Sequence, residues 1–178
     1  MKKESAIKLL SHWDTKGRFV YTLNDLAKLF PEDKPRTLQE AVNRLVKAEI
    51  LQRVGKGIYL YTYAKSKDVH VIEHVAKAMR RGEYNYVSLE SALSEYGAIS
   101  QIPIDRLTVM TTGRKGEYRT PYGTIEFTHT SRKVADLLDS FKEVGRPLRL
   151  AKLKAAWRDL KRVGRNVQLV DEDQLAYE

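Results

Sequence analysis

The sequence contains no cysteine and no long apolar run. The absence of cysteine excludes disulfide bonds and thiolate metal sites. No apolar stretch approaches the ~18–20 residues that span a bilayer. The first residues are basic, but neither an uninterrupted hydrophobic stretch nor a small-residue cleavage site follows them, as a secretory signal would require. We therefore expect a cytoplasmic protein that is not embedded in a membrane.

Several catalytic signatures are also missing. There is no P-loop, because the segment 113–116 is better interpreted as a turn, and no Gly-x-Ser-x-Gly motif. His70 and His74 have a spacing that suits a metal on one helix face, but the zinc motif H-E-x-x-H is absent and no further ligand lies nearby in the sequence. We expect neither a metal nor a cofactor.

A metal-dependent nuclease would need clustered carboxylates beside a lysine. Asp105, Glu117 and Glu126 lie on or near adjoining predicted strands. Glu126, however, alternates outward with threonines, and no lysine accompanies it in the sequence. We predict that the protein is not an enzyme.

Positive charge is what the sequence has in excess. The formal net charge is +9, with 32 Lys and Arg against 23 Asp and Glu. Residues 1–64 carry 12 basic against 7 acidic side chains, residues 65–131 carry 9 against 8, and residues 132–178 carry 11 against 8. The excess therefore lies towards the two ends. Such charge suggests a polyanionic partner, but that inference needs support from motif and geometry.

The pattern of residues 1–64 predicts a winged helix-turn-helix. Apolar residues at helical spacing indicate three helices, over residues 3–14, 23–30 and 36–48. Thr22 and Asp25 form a capping-box pattern before the second helix, and Pro31 ends it. Two strand-like segments then flank Gly55-Lys56-Gly57, which we interpret as the tip of a β-hairpin.

The outward face of the third predicted helix carries side chains suited to DNA. Early residues of a recognition helix reach base edges, and Arg, Gln and Asn can each make two hydrogen bonds to one base. The candidate base-reading residues are Arg36, Thr37, Gln39, Glu40 and Asn43, and the candidate phosphate contacts are Arg44, Lys47, Arg53 and Lys56. The same residues also fit the solvated side of an amphipathic helix or a protein-interaction module, and these alternatives stay open.

Residues 65–178 predict a second, small α+β domain. Helices follow Asp68 and Ser88, strands cover residues 107–112, 117–120 and 124–129, and a helix after Ser131 points Val134, Leu137, Leu138 and Phe141 inward. The expected fold class of the whole chain is therefore α+β. The acidic segment 171–173 near the end has no clear assignment.

The last predicted helix covers about residues 147–164 and begins with Pro147. Leu150, Leu153, Trp157 and Leu160 form a narrow apolar seam. On one flank of it lies a possible basic surface for a protein partner or DNA, made of Lys154, Arg158, Lys161, Arg162 and Arg165. Such a stripe can follow a phosphate backbone, dock an acidic partner or simply be the solvated face of a docked helix.

Three stretches resemble the AbiEi family of antitoxins. They are the wing-like segment 53–59, the segment Tyr86–Ser94 (YVSLESALS) and the segment Gly97–Pro103 (GAISQIP). The resemblance covers about residues 20–130 and implies a type IV toxin–antitoxin, or abortive-infection, system. It also implies a repressing N-terminal winged helix and a C-terminal domain that counters a nucleotidyltransferase-like toxin, without implying a direct complex with that toxin. It carries over no catalytic residue.

The sequence thus leads to one main hypothesis and two alternatives. The main hypothesis is an antitoxin that represses its own operon by binding double-stranded DNA at its own promoter. The first alternative is a winged-helix protein-interaction module without sequence-specific DNA binding, and the second is a plain transcriptional regulator unconnected to a toxin. Salt dependence separates DNA binding from protein binding, because each neutralised phosphate contributes about −0.9 to the log–log slope.

Overall fold

The chain forms two compact units, Met1–Met79 and Arg80–Glu178. The computed structural model describes residues 1–100 and 104–177. Helices and strands occur in both units, so the predicted α+β class is confirmed. No helix in these ranges is long and apolar enough to cross a membrane.

The first unit contains a three-stranded antiparallel sheet and four helices. The sheet has the strand order β1-β3-β2. The elements in chain order are α1 (Lys3–Asp14), β1 (Val20–Thr22), α2 (Leu23–Leu29), α3 (Pro35–Lys47), β2 (Leu51–Gly55), β3 (Ile58–Tyr61) and α4 (Val71–Met79). Three helices followed by a hairpin is the order of elements that the sequence predicts.

Local signals explain where α2 and α3 begin. The Thr22 side chain accepts a hydrogen bond from the Asp25 backbone N–H at 3.0 Å, and the Asp25 carboxylate accepts one from the Thr22 backbone N–H at 2.7 Å. This reciprocal capping box satisfies two donors at the start of α2. Pro35 occupies the first turn of α3, where a missing N–H costs nothing because that position has no intrahelical acceptor.

The boundary between the units falls after Met79 rather than after residue 64. Helix α4, which the sequence assigns to the second domain, packs instead on β1 and β3. Its buried residues Val71, Val75 and Ala76 give it an apolar face, and the ring of His74 lies 4.6 Å from that of Phe19. The polar segment before α4 is therefore a connection within the first unit.

The second unit is built on a six-stranded mixed sheet with the order β6-β7-β5-β4-β9-β8. Strands β5 and β7 are parallel, as are β4 and β9, and the other neighbours are antiparallel. The strands are β4 (Asn85–Val87), β5 (Arg106–Thr111), β6 (Gly116–Thr120), β7 (Gly123–His129), β8 (Phe141–Lys142) and β9 (Arg149–Ala151). The helices are α5 (Leu89–Glu95), α6 (Val134–Leu138) and α7 (Leu153–Val163).

The core of the second unit lies between the sheet and the helices α5 and α7. These helices pack on each other, and α5 also packs on β5. Tyr86, Leu93, Met110, Ile125 and Leu160 are fully buried there. The strands that the sequence predicts between residues 107 and 129 correspond to β5, β6 and β7.

Two predicted helices differ from those observed. The predicted helix 147–164 begins only at Leu153, because residues 149–151 form β9, which hydrogen-bonds to both β4 and β8. Helix α6 has only five residues, and of its apolar side chains only Leu137 is buried. Val134 and Leu138, predicted to face inward, are 47% and 52% exposed, and Phe141 belongs to β8.

The three stretches that resemble AbiEi antitoxins fall in different places. The segment 53–59 forms the β2–β3 hairpin, and the segment Tyr86–Ser94 covers the end of β4 and most of α5. The residues 101–103 at the end of the third stretch lie outside the described residues.

Candidate nucleic-acid interface

Helix α3 has one apolar and one polar face. Leu38, Ala41, Val42 and Leu45 are at most 4% exposed, and they recur at the spacing that places side chains on one side of a helix. This face packs towards α2 and β2. The polar face is thereby left at the surface of the first unit.

All five candidate base-reading residues lie on α3. Arg36, Thr37, Glu40 and Asn43 are exposed and Gln39 is half-buried. Two pairs interact one helical turn apart: Arg36 Nε donates to Glu40 Oε1 at 3.3 Å, and Gln39 Nε2 donates to Asn43 Oδ1 at 3.3 Å. Exposed pairs of this kind contribute only ~0.2–0.5 kcal/mol, so base edges could readily replace them.

The β2–β3 hairpin places a cation at the surface beside the start of α2. Gly57 has φ of +70°, a conformation that favours glycine, and its carbonyl accepts a hydrogen bond from the Leu23 backbone N–H at 2.9 Å. Lys56 at the tip is exposed. Arg53 is also exposed, and its Nε lies 3.4 Å from the Gly55 carbonyl oxygen.

The four predicted phosphate contacts share high exposure. Arg44, Lys47 and Lys56 make no side-chain hydrogen bond or ion pair within residues 1–100 and 104–177. Cations that are solvated in this way can approach a phosphate without first breaking a protein contact. The first unit therefore carries hydrogen-bonding side chains on α3 and unpaired cations on α3 and the hairpin.

The five basic residues predicted as a second surface have different surroundings. Arg165 forms ion pairs with Glu90 and Glu126, and Arg162 donates to the His129 carbonyl at 3.1 Å. Lys161 Nζ lies 5.1 Å from the centre of the Trp157 ring. Arg158 donates to Ser140, and Lys154 is exposed beside it on α7. Arg165 is thus occupied within the fold and does not belong to one continuous basic flank.

The segment Tyr86–Ser94 holds α7 in place. The Tyr86 and Ser88 hydroxyls each donate to Asp159 Oδ2 at 3.0 Å, and Asp159 is fully buried. Ser88 directly precedes α5, but its hydroxyl makes this tertiary hydrogen bond and no hydrogen bond that caps the helix. Next to it, Leu89 has φ of +57°, a strained conformation for a bulky residue.

Glu90, in the same segment, binds the residues that follow α7. It accepts hydrogen bonds from Arg165 Nε at 2.7 Å and from Asn166 Nδ2 at 3.0 Å. Burial alone would raise the pKa of the Glu90 carboxyl, but these hydrogen bonds outweigh burial and hold the pKa below its usual value. The same contact with Glu90 raises the pKa of the Arg165 guanidinium.

Two of the three carboxylates considered for a nuclease, Glu117 and Glu126, form ion pairs with arginine. Arg106 Nη1 donates to Glu117 at 2.9 Å and to Glu126 at 2.8 Å, and it lowers the pKa of Glu117. Contrary to the sequence interpretation, a lysine does accompany Glu126, because Lys115 lines the same cleft. Asp105 lines a different one. No group of three or more potential metal ligands occurs in the described part of the chain.

Sequence reasoning missed a cluster of basic residues beside the N-terminal half of α7. Arg132 and Lys152 line one cleft together with the predicted residues Lys154 and Arg158, and the buried Asp159 lies next to them. One sequence signal was available. Asp159 is the single acidic residue among 8 basic residues between Arg146 and Arg165. A lone acidic residue adjacent to the apolar seam of a helix is typical of a buried partner for arginine.

The fold defines an α+β protein of two compact units, the first with an exposed polar helix and a basic hairpin tip. The chain belongs to DUF6088, a family of unknown function, whose model matches residues 14–166. No curated protein matches it. The chain is similar in fold to the crystal structure of the Rv2827c protein from Mycobacterium tuberculosis, with a TM-score of 0.57 and 15% identity. That similarity covers 98% of this chain and 71% of the other.

Proposed function

We propose that the first unit is a winged helix-turn-helix that binds double-stranded DNA with sequence specificity. The observation that carries this proposal is the exposed face of α3. It combines side chains able to make paired hydrogen bonds to bases with cations that have no partner in the described residues. In this arrangement α3 is the recognition helix in the major groove and Lys56 on the hairpin contacts a phosphate.

We further propose that the protein represses its own operon and acts as an antitoxin. This part rests on the resemblance of the hairpin and of segments 86–94 and 97–103 to AbiEi antitoxins. A regulator of this kind acts in the cytoplasm, and it needs no catalytic site of its own. Within the segment 86–94, Tyr86 and Ser88 hydrogen-bond to Asp159 on α7, and Glu90 hydrogen-bonds to Arg165 and Asn166 after it.

Two substitutions separate phosphate contacts from base reading. Lys56→Ala removes a phosphate contact, so we expect weaker binding to every DNA sequence and a salt slope smaller by about 0.9. Asn43→Ala removes a base contact, so we expect a loss of discrimination of about 1–3 kcal/mol at one base pair and little change on random DNA. Fluorescence anisotropy with specific and random duplexes at several salt concentrations measures both effects.

A matched control is Lys77→Ala. Lys77 is exposed on α4, outside α3 and the hairpin, and its replacement changes the net charge by the same amount. We expect its binding to match that of the wild type. Equal losses on specific and random DNA for Asn43→Ala would refute base reading. Equal losses of DNA affinity for Lys77→Ala and Lys56→Ala would show that only net charge matters and would favour the protein-interaction alternative.

The antitoxin part is tested independently of DNA binding. If the gene next to this one encodes a toxin, its expression alone should arrest growth, and co-expression of this protein should restore growth. The Asn43→Ala variant should restore growth equally well, because the proposed antagonism belongs to the second unit. Failure of both proteins to restore growth would refute the antitoxin proposal and leave a plain regulator.

A further inference from the structure

A cleft in the second unit gathers four cations from separate parts of the chain. It encloses about 570 Å³ beside the N-terminal half of α7. Arg132 precedes α6, Lys152 precedes α7, and Lys154 and Arg158 lie on the first turns of α7. Two carboxylates, Asp136 on α6 and Asp139 just after it, line the same cleft.

A buried carboxylate orients the two arginines of this cleft. Arg158 Nη2 lies 3.3 Å from Asp159 Oδ1, and Arg132 Nη2 lies 3.9 Å from the same oxygen. The other oxygen of Asp159 accepts hydrogen bonds from the hydroxyls of Tyr86 and Ser88. The Arg158 guanidinium, which also donates to Ser140 Oγ at 3.1 Å, is therefore held within the fold, and that of Arg132 lies within ion-pair distance of the same carboxylate. Restrained arginines bind phosphate better than mobile ones, because less conformational entropy is lost on binding.

The two arginines also retain unsatisfied donors. The Nε atoms of Arg132 and Arg158 are buried and have no hydrogen-bond partner in the described residues. Buried donors in folded proteins are normally paired, so two unpaired donors on two lining residues of one cleft indicate that an acceptor belongs there. Phosphate is the acceptor-rich anion that suits a group of arginines and lysines.

The volume and the carboxylates narrow the class of ligand. A cleft of this size falls in the usual range for small ligands. The negative charges of Asp136 and Asp139 would repel a second phosphate, whereas their oxygens can accept hydrogen bonds from hydroxyl groups. We propose that this cleft binds a small phosphorylated ligand that carries hydroxyls, of the nucleoside monophosphate or sugar phosphate class. This inference goes beyond the proposed function, since it requires neither DNA binding nor a toxin.

Calorimetric titration of the full chain tests the proposal with three probes: adenosine monophosphate, inorganic phosphate and adenosine. We expect the monophosphate to bind more tightly than inorganic phosphate and adenosine not to bind. Lys152→Ala should weaken binding of the monophosphate about tenfold, as expected for the loss of one hydrogen bond between charged groups. The Lys152 side chain is exposed, and no described hydrogen bond or ion pair of the side chain is lost with it.

The control is Lys161→Ala, which removes the same charge from α7 at a position that does not line the cleft. We expect this variant to weaken binding of the monophosphate less than about twofold, because interactions between solvated charges are weak. Equal weakening by both variants would refute the cleft as the site. Absence of binding by both phosphorylated probes would also refute it. If in addition Lys152→Ala weakened binding of a DNA duplex, the cleft would belong to a nucleic-acid surface instead.

Discussion

Replacing Asp159 by alanine should strongly destabilise the second unit. Asp159 accepts two hydroxyl hydrogen bonds at 3.0 Å and lies within 3.9 Å of two guanidinium groups. Its loss leaves the Tyr86 and Ser88 hydroxyls without this acceptor and the arginines without their buried counter-charge. Removal of one partner from a buried ion pair costs about 3–5 kcal/mol, a large part of the stability of a small domain.

The two tryptophans make this effect measurable for one unit at a time. Trp13 lies in the first unit and Trp157 in the second. In a Trp13→Phe background, urea unfolding followed by tryptophan fluorescence reports the second unit alone, which avoids treating two units as one transition. The free energy of unfolding follows from linear extrapolation.

Three further variants serve as controls in the same unfolding experiment. Asp139→Ala changes an exposed carboxylate of the same cleft, and we expect an effect within about 0.5 kcal/mol. Ser88→Ala should cost about 1–2 kcal/mol, whereas Ser94→Ala, exposed in the same segment, should be neutral. A loss below about 1 kcal/mol for Asp159→Ala would refute the argument that Asp159 restrains the arginines and anchors α7.

Three further predictions concern other contacts. The pKa of Glu90 is held below its ordinary value of 4.5, so the stabilisation from the ionised carboxylate is complete above that pH and is lost as the pH falls through the lowered pKa. In urea unfolding of the second unit at several pH values, the free energy of unfolding should therefore fall less steeply with acid in Glu90→Gln than in the wild type. An identical slope would contradict the contact. Thr22→Ala should lower the free energy of unfolding of the first unit by about 1 kcal/mol, measured by Trp13 fluorescence in a Trp157→Phe background. No change would contradict the capping box. Gly57→Ala should cost about 1–2 kcal/mol in the same assay because alanine is strained at positive φ, whereas Lys56→Ala should leave the stability unchanged.

The first unit was largely predictable because its signals are local. Helical spacing of apolar residues, the Thr22–Asp25 capping box and the glycines around Lys56 each act within a few residues. The sequence therefore predicts α1, α2, α3 and the hairpin to within two residues of their observed bounds. It does not predict that α4 packs on β1 and β3, since that depends on contacts between distant segments.

The second unit was less predictable because its strands are short and paired over long distances. Strand β4 has three residues and pairs with β5 and β9, which lie far from each other in the sequence. Pro147 and Leu150 fit the start of a helix, so the sequence predicts a helix where β9 forms. Strand pairing overrides such a local preference. The helical spacing of Val134 and Leu138 predicts that both face inward. It does not show that the helix has only five residues or that both side chains are exposed.

The candidate sites divide in the same way. Exposure of the α3 residues follows from helical periodicity, so sequence alone could name Arg36, Asn43 and Arg44 as surface side chains. The occupation of Arg165 by two glutamates could not be foreseen, because Glu90 and Glu126 come from α5 and β7. Arg132 and Arg158 both lie near Asp159, although Arg132 is far from the other two residues in the sequence.

The most direct test of DNA recognition by α3 is a mobility-shift titration of the full chain on the DNA upstream of its own gene. The titration is run at two salt concentrations with scrambled duplex as competitor. We expect a complex that survives excess competitor and weakens with salt in proportion to the number of neutralised phosphates. A complex that disappears with competitor or with a modest rise in salt would contradict sequence-specific binding.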